Sequence, residues 1–118
     1  MREKLIGRWG EAEAAAFLRR RRYEILSMGF RCRFGEIDLI ARSGRYIVFV
    51  EVKTRKNDRF AAAREYVDAE KRRKLRNTAA IWLANNETEL QPRFDVIEVY
   101  AKNGAFRNPI INHLEDAF

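Results

Sequence analysis

Asp38, Glu51 and Lys53 are side chains of the types that metal and phosphate chemistry require, and they lie in a stretch that otherwise reads as two β-strands. Half-buried carboxylates on a strand cost several kcal/mol unless something compensates them. A hard divalent cation would do so, because Mg²⁺ is held by one or two carboxylates and keeps waters for substrate phosphates. Lysine suits such a site, since its ammonium can neutralise a phosphate or, with a lowered pKa, help to activate a water.

The turn between these two strands sets their expected register. Ser43-Gly44 is a turn dipeptide, and a loop centred on it pairs Ala41 with Tyr46 and Leu39 with Val48. One face of the hairpin is then apolar throughout. This matching supports the register, because successive side chains of a strand alternate between the two faces of a sheet.

The same register predicts how the carboxylates meet. Glu36 lies opposite Glu51, and Asp38 becomes a diagonal neighbour of Glu51, about 7–8 Å away between backbones, with Lys53 two residues further along. Like charges opposite each other destabilise a sheet, so this arrangement favours a bound cation. The alternative interpretation is an exposed polar face with Lys–Glu pairs across the strands.

Asp38 followed on the next strand by Glu51-Val52-Lys53 resembles the PD-(D/E)XK nuclease motif in a degenerate form, with Ile37 where the motif has proline. A longer likeness, over nearly the whole chain, is to the YraN-like uncharacterised bacterial proteins. The resemblance implies a restriction-endonuclease-like fold. The segments that carry it are GRWGE (7–11), GEIDLIA (35–41), VFVEVKTR (48–55), RFDVIEV (93–99) and INHLEDAF (111–118).

The resemblance also implies roles for individual residues. Asp38 and Glu51 would bind Mg²⁺ or Mn²⁺ together with the backbone carbonyl of Val52, and Lys53 would act near the attacking water. A glutamate of the N-terminal helix often joins such sites, which makes Glu11 a candidate third carboxylate. The alternative for Glu11 is a solvated residue on the helix surface.

Length and composition bound the class of protein. The 118 residues suffice for one domain, 1–118, with its own core. No stretch is long and apolar enough to span a membrane, and the N-terminus lacks the apolar region of a signal peptide. A single cysteine, Cys32, excludes an internal disulfide and fits a reducing cytosol, so we expect a cytoplasmic protein.

Positive charge is concentrated in the half of the chain that carries the motif. The net charge is +7. Residues 1–60 hold 15 Lys and Arg against 8 Asp and Glu, an excess of seven, whereas residues 61–118 hold nine of each. A basic surface around a group of acids predicts that a polyanion, with DNA the first candidate, is brought to a metal site. The predicted phosphate contacts are Arg31, Arg33, Arg55, Lys56 and Lys71; the alternative for the basic loop 55–59 is plain surface.

Helical patterns flank the strands. Residues 2–22 predict a helix with two stripes, and Gly10, Glu11 and Ala14 share the stripe whose small residues permit close approach to a sheet. A second helix is expected over 68–85, capped by Asp68. Its core-facing stripe comprises Leu75, Ala79, Trp82 and Leu83, and Lys71 extends that stripe by one turn beside the sheet. A strand opening at Pro92 follows, in which Asp95 is expected to form an ion pair with an arginine. Asn103-Gly104 predicts a turn, and the tail from residue 110 is expected to form a short strand or a helical turn. The fold class is therefore α/β, a mixed central sheet flanked by helices in the order α-β-β-β-α-β.

Three functions remain open at this point. The leading one is a Mg²⁺-dependent nuclease acting on DNA. The second is a nucleic-acid-binding module on the same fold without catalysis. The third is an interaction protein, or a homodimer, that docks another chain through a helix stripe. The absence of a phosphate-cradling glycine loop argues against an NTPase. The stripe comprises Leu5, Trp9, Ala12 and Ala16.

Overall fold

The computed structural model describes residues 3–56, 68–102 and 104–118. Five strands and two helices make up the described part of the chain. None of these helices combines the length and the apolar character needed to cross a membrane. The elements are α1 (Glu3–Arg20), β1 (Glu24–Cys32), β2 (Gly35–Ser43), β3 (Tyr46–Arg55), α2 (Ala69–Asn85), β4 (Gln91–Lys102) and β5 (Ala105–Leu114).

The strands form one mixed sheet in the order β1-β2-β3-β4-β5. The first three strands are an antiparallel meander, and β4 pairs with β3 in parallel after α2, as the element order predicts. Strand β5, antiparallel to β4, extends over the region for which a turn and a short tail element were expected. The mixed α/β class is therefore confirmed, and the chain has one more full strand than predicted.

The register of the β2–β3 hairpin differs by two residues from the expected one. Ala41 pairs with Val48 and Ser43 with Tyr46, so the predicted pairing of Ala41 with Tyr46 is wrong. Gly44, with φ 57°, occupies the first central position of the two-residue turn, where glycine favours the hairpin geometry. Because the displacement is even, Leu39 and Ala41 still face the same side of the sheet.

Each helix covers one face of the sheet, and each face has its own core. On one side, Ala14, Ala15 and Leu18 of α1 pack on strand residues that include Val48 and Val50. On the other, a cluster around the side chains of α2 includes Ile37. Strict alternation along β2 would place Ile37 on the same face as Leu39 and Ala41, but Ile37 lies on the opposite face. The α2 residues of this cluster are Leu75, Ala79 and Trp82, which lie on the predicted stripe.

Helix α1 approaches β3 closely enough to require glycine at one position. A Cβ atom at Gly10 would lie 1.9 Å from Thr54 Oγ1 and 2.9 Å from Thr54 Cβ, so rotating the threonine would not remove the overlap. Gly7, one turn earlier on the same helix, would have no atom within 4 Å of an added Cβ. The predicted close contact of this stripe with the sheet is thus confirmed at Gly10.

A buried network ties the C-terminal segment to β4. Asp95 is fully buried and accepts hydrogen bonds from Arg93 Nε at 2.9 Å and from the backbone N–H of Asp116 at 3.0 Å. His113 Nε2 lies 2.7 Å from Asp95 Oδ2. Burial alone would raise the pKa of Asp95, but the hydrogen bonds from His113 and Arg93 outweigh it and lower the pKa. The predicted ion pair of Asp95 with an arginine is confirmed.

We expect Gly10→Ala to destabilise the protein by about 1–3 kcal/mol, because the added methyl group overpacks the α1–β3 contact. Gly7→Ala is the matched control, and it should stabilise the protein by about 0.5–1 kcal/mol through helix propensity alone. Urea denaturation followed by circular dichroism measures both. Equal effects of the two substitutions would contradict the close approach.

Candidate active site

The acidic site begins where β2 separates from β3. The backbone pairing of β2 with β3 ends at Leu39 and Val50. Beyond this pair, Asp38 Oδ2 accepts a hydrogen bond from the backbone N–H of Val52 at 2.8 Å. A backbone N–H left by a departing strand needs another acceptor, and the Asp38 carboxylate provides one. This bond to the residue after Glu51 holds Asp38 next to Glu51.

A cleft of about 280 Å³ opens at this point, between the sheet and the first turns of α2. We call it the acidic cleft, because three of its lining side chains are carboxylic acids. Two lysines line the same space from α2. Its residues are Gly35, Glu36, Asp38, Glu51, Lys71, Lys74 and Leu75.

Two ammonium groups converge on one oxygen of Glu51. Lys71 Nζ lies 2.9 Å and Lys53 Nζ 3.4 Å from Glu51 Oε1, and the glutamate is only 9% exposed. Lys71 reaches this oxygen from the first turn of α2, whose start is set by Asp68: its side chain accepts from the Lys71 N–H at 2.8 Å. The predicted cap thus places a lysine from a distant part of the sequence against the acid of β3.

Asp38 is held in an unfavourable environment for a charged carboxylate. Burial raises its pKa to about 7, the Glu51 carboxylate adds to the increase, and the hydrogen bond from Val52 opposes it. Glu11 and Glu36 act in the same direction as Glu51. Asp38 therefore changes charge near neutral pH, a property that is concentrated at functional sites.

Glu11 belongs to the same electrostatic environment. Its pKa is raised, first by burial and then by the carboxylates of Glu36 and Glu51, while the guanidinium group of Arg31 lowers it. Glu11 is therefore influenced electrostatically by these two acids, and its predicted place as a third carboxylate of the site stays a prediction. Glu11 lies near the acidic cleft without lining it.

Lys53 has a lowered pKa, first because of its burial and then because of the neighbouring Lys71; the contact with Glu51 opposes the change. Two ammonium groups that share one carboxylate oxygen repel each other, so one of them gives up its proton more readily. Lys53 thereby has the property expected of a lysine that assists a water.

The predicted phosphate contacts occupy different positions around the cleft. Arg31 is 77% exposed along its side chain and binds Glu36 at 2.8 Å. The exposed Arg33 guanidinium carbon lies 4.8 Å from the ring centroid of Phe34. Arg31 therefore reaches an acid of the cleft, whereas Arg33 lies over the turn that follows β1.

The end of β3 carries the other basic pair. Arg55 is partly buried, and the exposed Lys56 Nζ lies 2.6 Å from Glu3 Oε1 at the start of α1. Positions 57–59 of the predicted basic loop lie outside the described residues, so the contact surface is described only as far as Lys56.

The two carboxylates of Asp38 and Glu51 are ligands of the kind that a hard cation requires. Within residues 3–56, 68–102 and 104–118, no group of three or more His, Cys, Asp or Glu side chains is close enough to hold a metal ion. Mg²⁺ needs only one or two carboxylates, with waters and substrate oxygens completing its shell. A cation beside Asp38 and Glu51 would relieve the repulsion that raises the pKa of Asp38. Glu11 and the Val52 carbonyl as further ligands stay predictions.

Sequence reasoning missed a buried acid on the neighbouring strand. Glu98 is 2% exposed and pairs in register with Lys53. Its two oxygens accept hydrogen bonds from Tyr100 O–H at 2.7 Å and Asn112 Nδ2 at 2.8 Å. A glutamate inside the apolar run VIEVY was the signal available in the sequence. Glu98 brings a further carboxyl group next to the strand position of Lys53.

We expect Asp38→Asn to stabilise the metal-free protein at pH 8 by about 1–4 kcal/mol, with the gain disappearing toward pH 4. The folded-state pKa of Asp38 is raised to about 7, above an unfolded value of about 3.9. The contribution of Asp38 to the free energy of unfolding is therefore fully present below pH 4 and is lost as the pH rises to 7. Asparagine keeps an acceptor for Val52 and cannot ionise. Urea denaturation in EDTA at pH 4.5 and 8 measures the difference, and a gain independent of pH would contradict the raised pKa.

Comparison with known proteins assigns the chain to a protein family. Residues 10–99 match the family described as "Uncharacterised protein family UPF0102". A UPF0102 protein of Caldanaerobacter subterraneus subsp. tengcongensis is 43% identical over 117 residues, which cover 98% of this chain and 96% of that protein. A UPF0102 protein of Geotalea daltonii is 45% identical over 116 residues, covering 98% and 90%, and one of Caldicellulosiruptor bescii is 42% identical over 122 residues, covering 100% of both. The chain belongs to the UPF0102 family.

Proposed function

We propose that this protein is a Mg²⁺-dependent nuclease that hydrolyses phosphodiester bonds of DNA, with the acidic cleft as its active site. The observation that supports it is the side-by-side position of Asp38 and Glu51 with Lys53 and Lys71 against them. Metal-dependent hydrolysis of a phosphodiester uses acids that bind a cation, together with positive charge that stabilises the phosphate. The order Asp38, then Glu51-Val52-Lys53, is similar to the PD-(D/E)XK superfamily, and we propose the restriction-endonuclease-like fold as the finer description of the sheet.

Asp38 and Glu51 would hold Mg²⁺ or Mn²⁺, with the Val52 carbonyl and Glu11 as further ligands. When bound, the cation would polarise the scissile phosphate and lower the pKa of a coordinated water. The raised pKa of Asp38 implies that cation binding releases a proton near neutral pH, since the metal-bound carboxylate must be ionised.

Lys53 and Lys71 would have different roles in the reaction. Lys53, whose pKa is lowered, orients the attacking water or accepts its proton, because a larger neutral fraction makes lysine a better base. Lys71 keeps its proton and neutralises charge that develops on the phosphate oxygens. Its pKa is raised, because hydrogen bonds with Lys53 and Glu51 outweigh the effect of burial.

Exposed arginines and lysines near the cleft would position the DNA backbone. Arg31 and Lys56 are each paired with a partly or fully exposed glutamate, Glu36 and Glu3 respectively. Exposed ion pairs contribute little to stability, so a phosphate can replace the glutamate at small cost. Together with Arg33 and Arg55 these residues would follow the phosphates without reading the base sequence.

A nucleic-acid-binding module without catalysis is the second candidate. Glu51 already has two ammonium partners, and the described residues hold no three-acid metal group. A cleft of this kind would bind a phosphate directly through Lys71 and Lys74 and cut nothing.

A docking role for the Leu5 stripe has less support. Leu5 is 50% exposed, as a docking residue would be. The Trp9 ring, however, already packs edge-to-face on Phe106 with ring centroids 5.0 Å apart. The homodimer or partner complex that would use this stripe stays a prediction.

We expect the wild-type protein to cleave at least one member of a panel of duplex, branched and single-stranded DNA in Mn²⁺ or Mg²⁺. Asp38→Asn should lower the rate by about 100-fold or more, because it removes a metal ligand whose charge no neighbour replaces. Quantitative gel assays measure cleavage, and fluorescence anisotropy in EDTA should show DNA affinity changed by less than about threefold.

Glu36→Gln is the matched control for this experiment. It removes a carboxylate from the same cleft, but one that pairs with Arg31 and has no assigned role in hydrolysis. Cleavage within about threefold of wild type is expected. DNA binding with a steep salt dependence but no cleavage in either metal would favour the binding module.

A further inference from the structure

We infer a second anion-binding site, in a groove between α1 and β5. The groove has a volume of about 570 Å³, twice that of the acidic cleft. Arg20 and Glu13 line it from α1, and Arg107 and Asn108 line it from β5. An arginine therefore lines each of the two walls, and neither arginine belongs to the proposed active site.

The groove shares no lining residue with the acidic cleft, which is bordered by the sheet and α2. Arg20 follows Glu11 by nine residues, which is about two and a half helical turns and places the two side chains on opposite sides of the helix. Glu13 is displaced from Glu11 by about 200° in the same way. A ligand in this groove is therefore separate from one that occupies the acidic cleft.

The two arginines of the groove are unpaired among the residues that the structure describes. Neither Arg20 nor Arg107 forms an ion pair there, in contrast to Arg42, which binds Glu24 at 2.6 Å, and Arg93, which binds Asp95 at 2.7 Å. A guanidinium group without a carboxylate partner offers its planar set of donors to an incoming phosphate. Glu13 lowers the net charge of the groove but does not neutralise both arginines.

The geometry at the end of α1 extends this basic surface. Arg22 adopts a left-handed conformation with φ 68°, and the N–H of Tyr23 bonds to the carbonyl of Leu18 at 3.0 Å, which closes the helix in a Schellman motif. The chain then turns back into β1 and leaves Arg19 and Arg20 exposed. An open groove that continues into exposed arginines fits a run of phosphates better than a single small anion.

The ligand that matches this surface is the phosphate backbone of nucleic acid, in a segment other than the one at the acidic cleft. The net charge of +7 supports a polyanion. The identity of the ligand rests on the proposed function, but the inference does not require cleavage. Binding at both the groove and the acidic cleft would let one nucleic acid contact the protein at two places.

The test is the salt dependence of DNA binding by the full chain. Anisotropy of a fluorescent 30-base-pair duplex is measured in EDTA between 50 and 200 mM NaCl for wild type and Arg20→Ala/Arg107→Ala. We expect the negative slope of log K against log salt to become shallower by about two, since each lost duplex phosphate contact reduces its magnitude by about 0.9. Arg42→Ala/Arg45→Ala removes the same charge at the β2–β3 turn, and its slope should change by less than about half a unit.

Charge-preserving variants separate a binding role from a structural one. Arg20→Lys/Arg107→Lys should restore most of the slope, because lysine still neutralises a phosphate. A wild-type slope for the double alanine variant, or a lysine variant as defective as the alanine one, would overturn the inference and leave the proposed nuclease intact. Failure of the wild type to bind DNA at all would overturn both.

Discussion

The structure depends on one electrostatic constraint: Asp38 and Glu51 are held side by side at the point where β2 leaves β3. The Val52 N–H fixes Asp38, and Lys53 and Lys71 approach Glu51. These contacts compensate Glu51 more fully than Asp38, whose pKa is raised to about 7. The protein thus keeps an acid in a place where its charge is unfavourable, which is the arrangement expected where a cation is to be bound.

A second buried aspartate, Asp95, has partners that fully compensate its negative charge. Asp95 on β4 receives hydrogen bonds from Arg93, His113 and the backbone of Asp116, and its pKa is lowered despite burial. Asp38 has one backbone donor in the described part of the chain. Asp95 is the more deeply buried of the two, so its partners, and not its burial, account for its lower pKa. We therefore interpret Asp95 as a group that stabilises the fold, and Asp38 as a group whose negative charge the fold leaves largely uncompensated.

The two helices bring complementary charges to this strand separation. Helix α1 approaches β3 at Gly10 and so places Glu11 near the acids, while its far side carries Arg20 toward β5. Helix α2 begins at a capped turn that directs Lys71 to Glu51. Backbone packing, rather than the local chemistry of either helix, decides which charges meet. The acidic cleft lies where α2 meets the sheet, and the arginine groove lies between α1 and β5.

The sequence by itself determined the features that depend on local pattern. Alternation predicted the strands, spacing predicted the stripes of both helices, and Asp68 predicted the start of α2, because these follow from side-chain geometry within a few residues. Tertiary structure decided the rest. Registers that differ by two residues bury the same face, so only the folded hairpin fixed the pairing of β2 with β3 and the hydrogen bond from Val52 to Asp38. The contact of Lys71 with Glu51, the five-stranded sheet and the network around Asp95 join residues far apart in the chain, and no local pattern specifies such contacts.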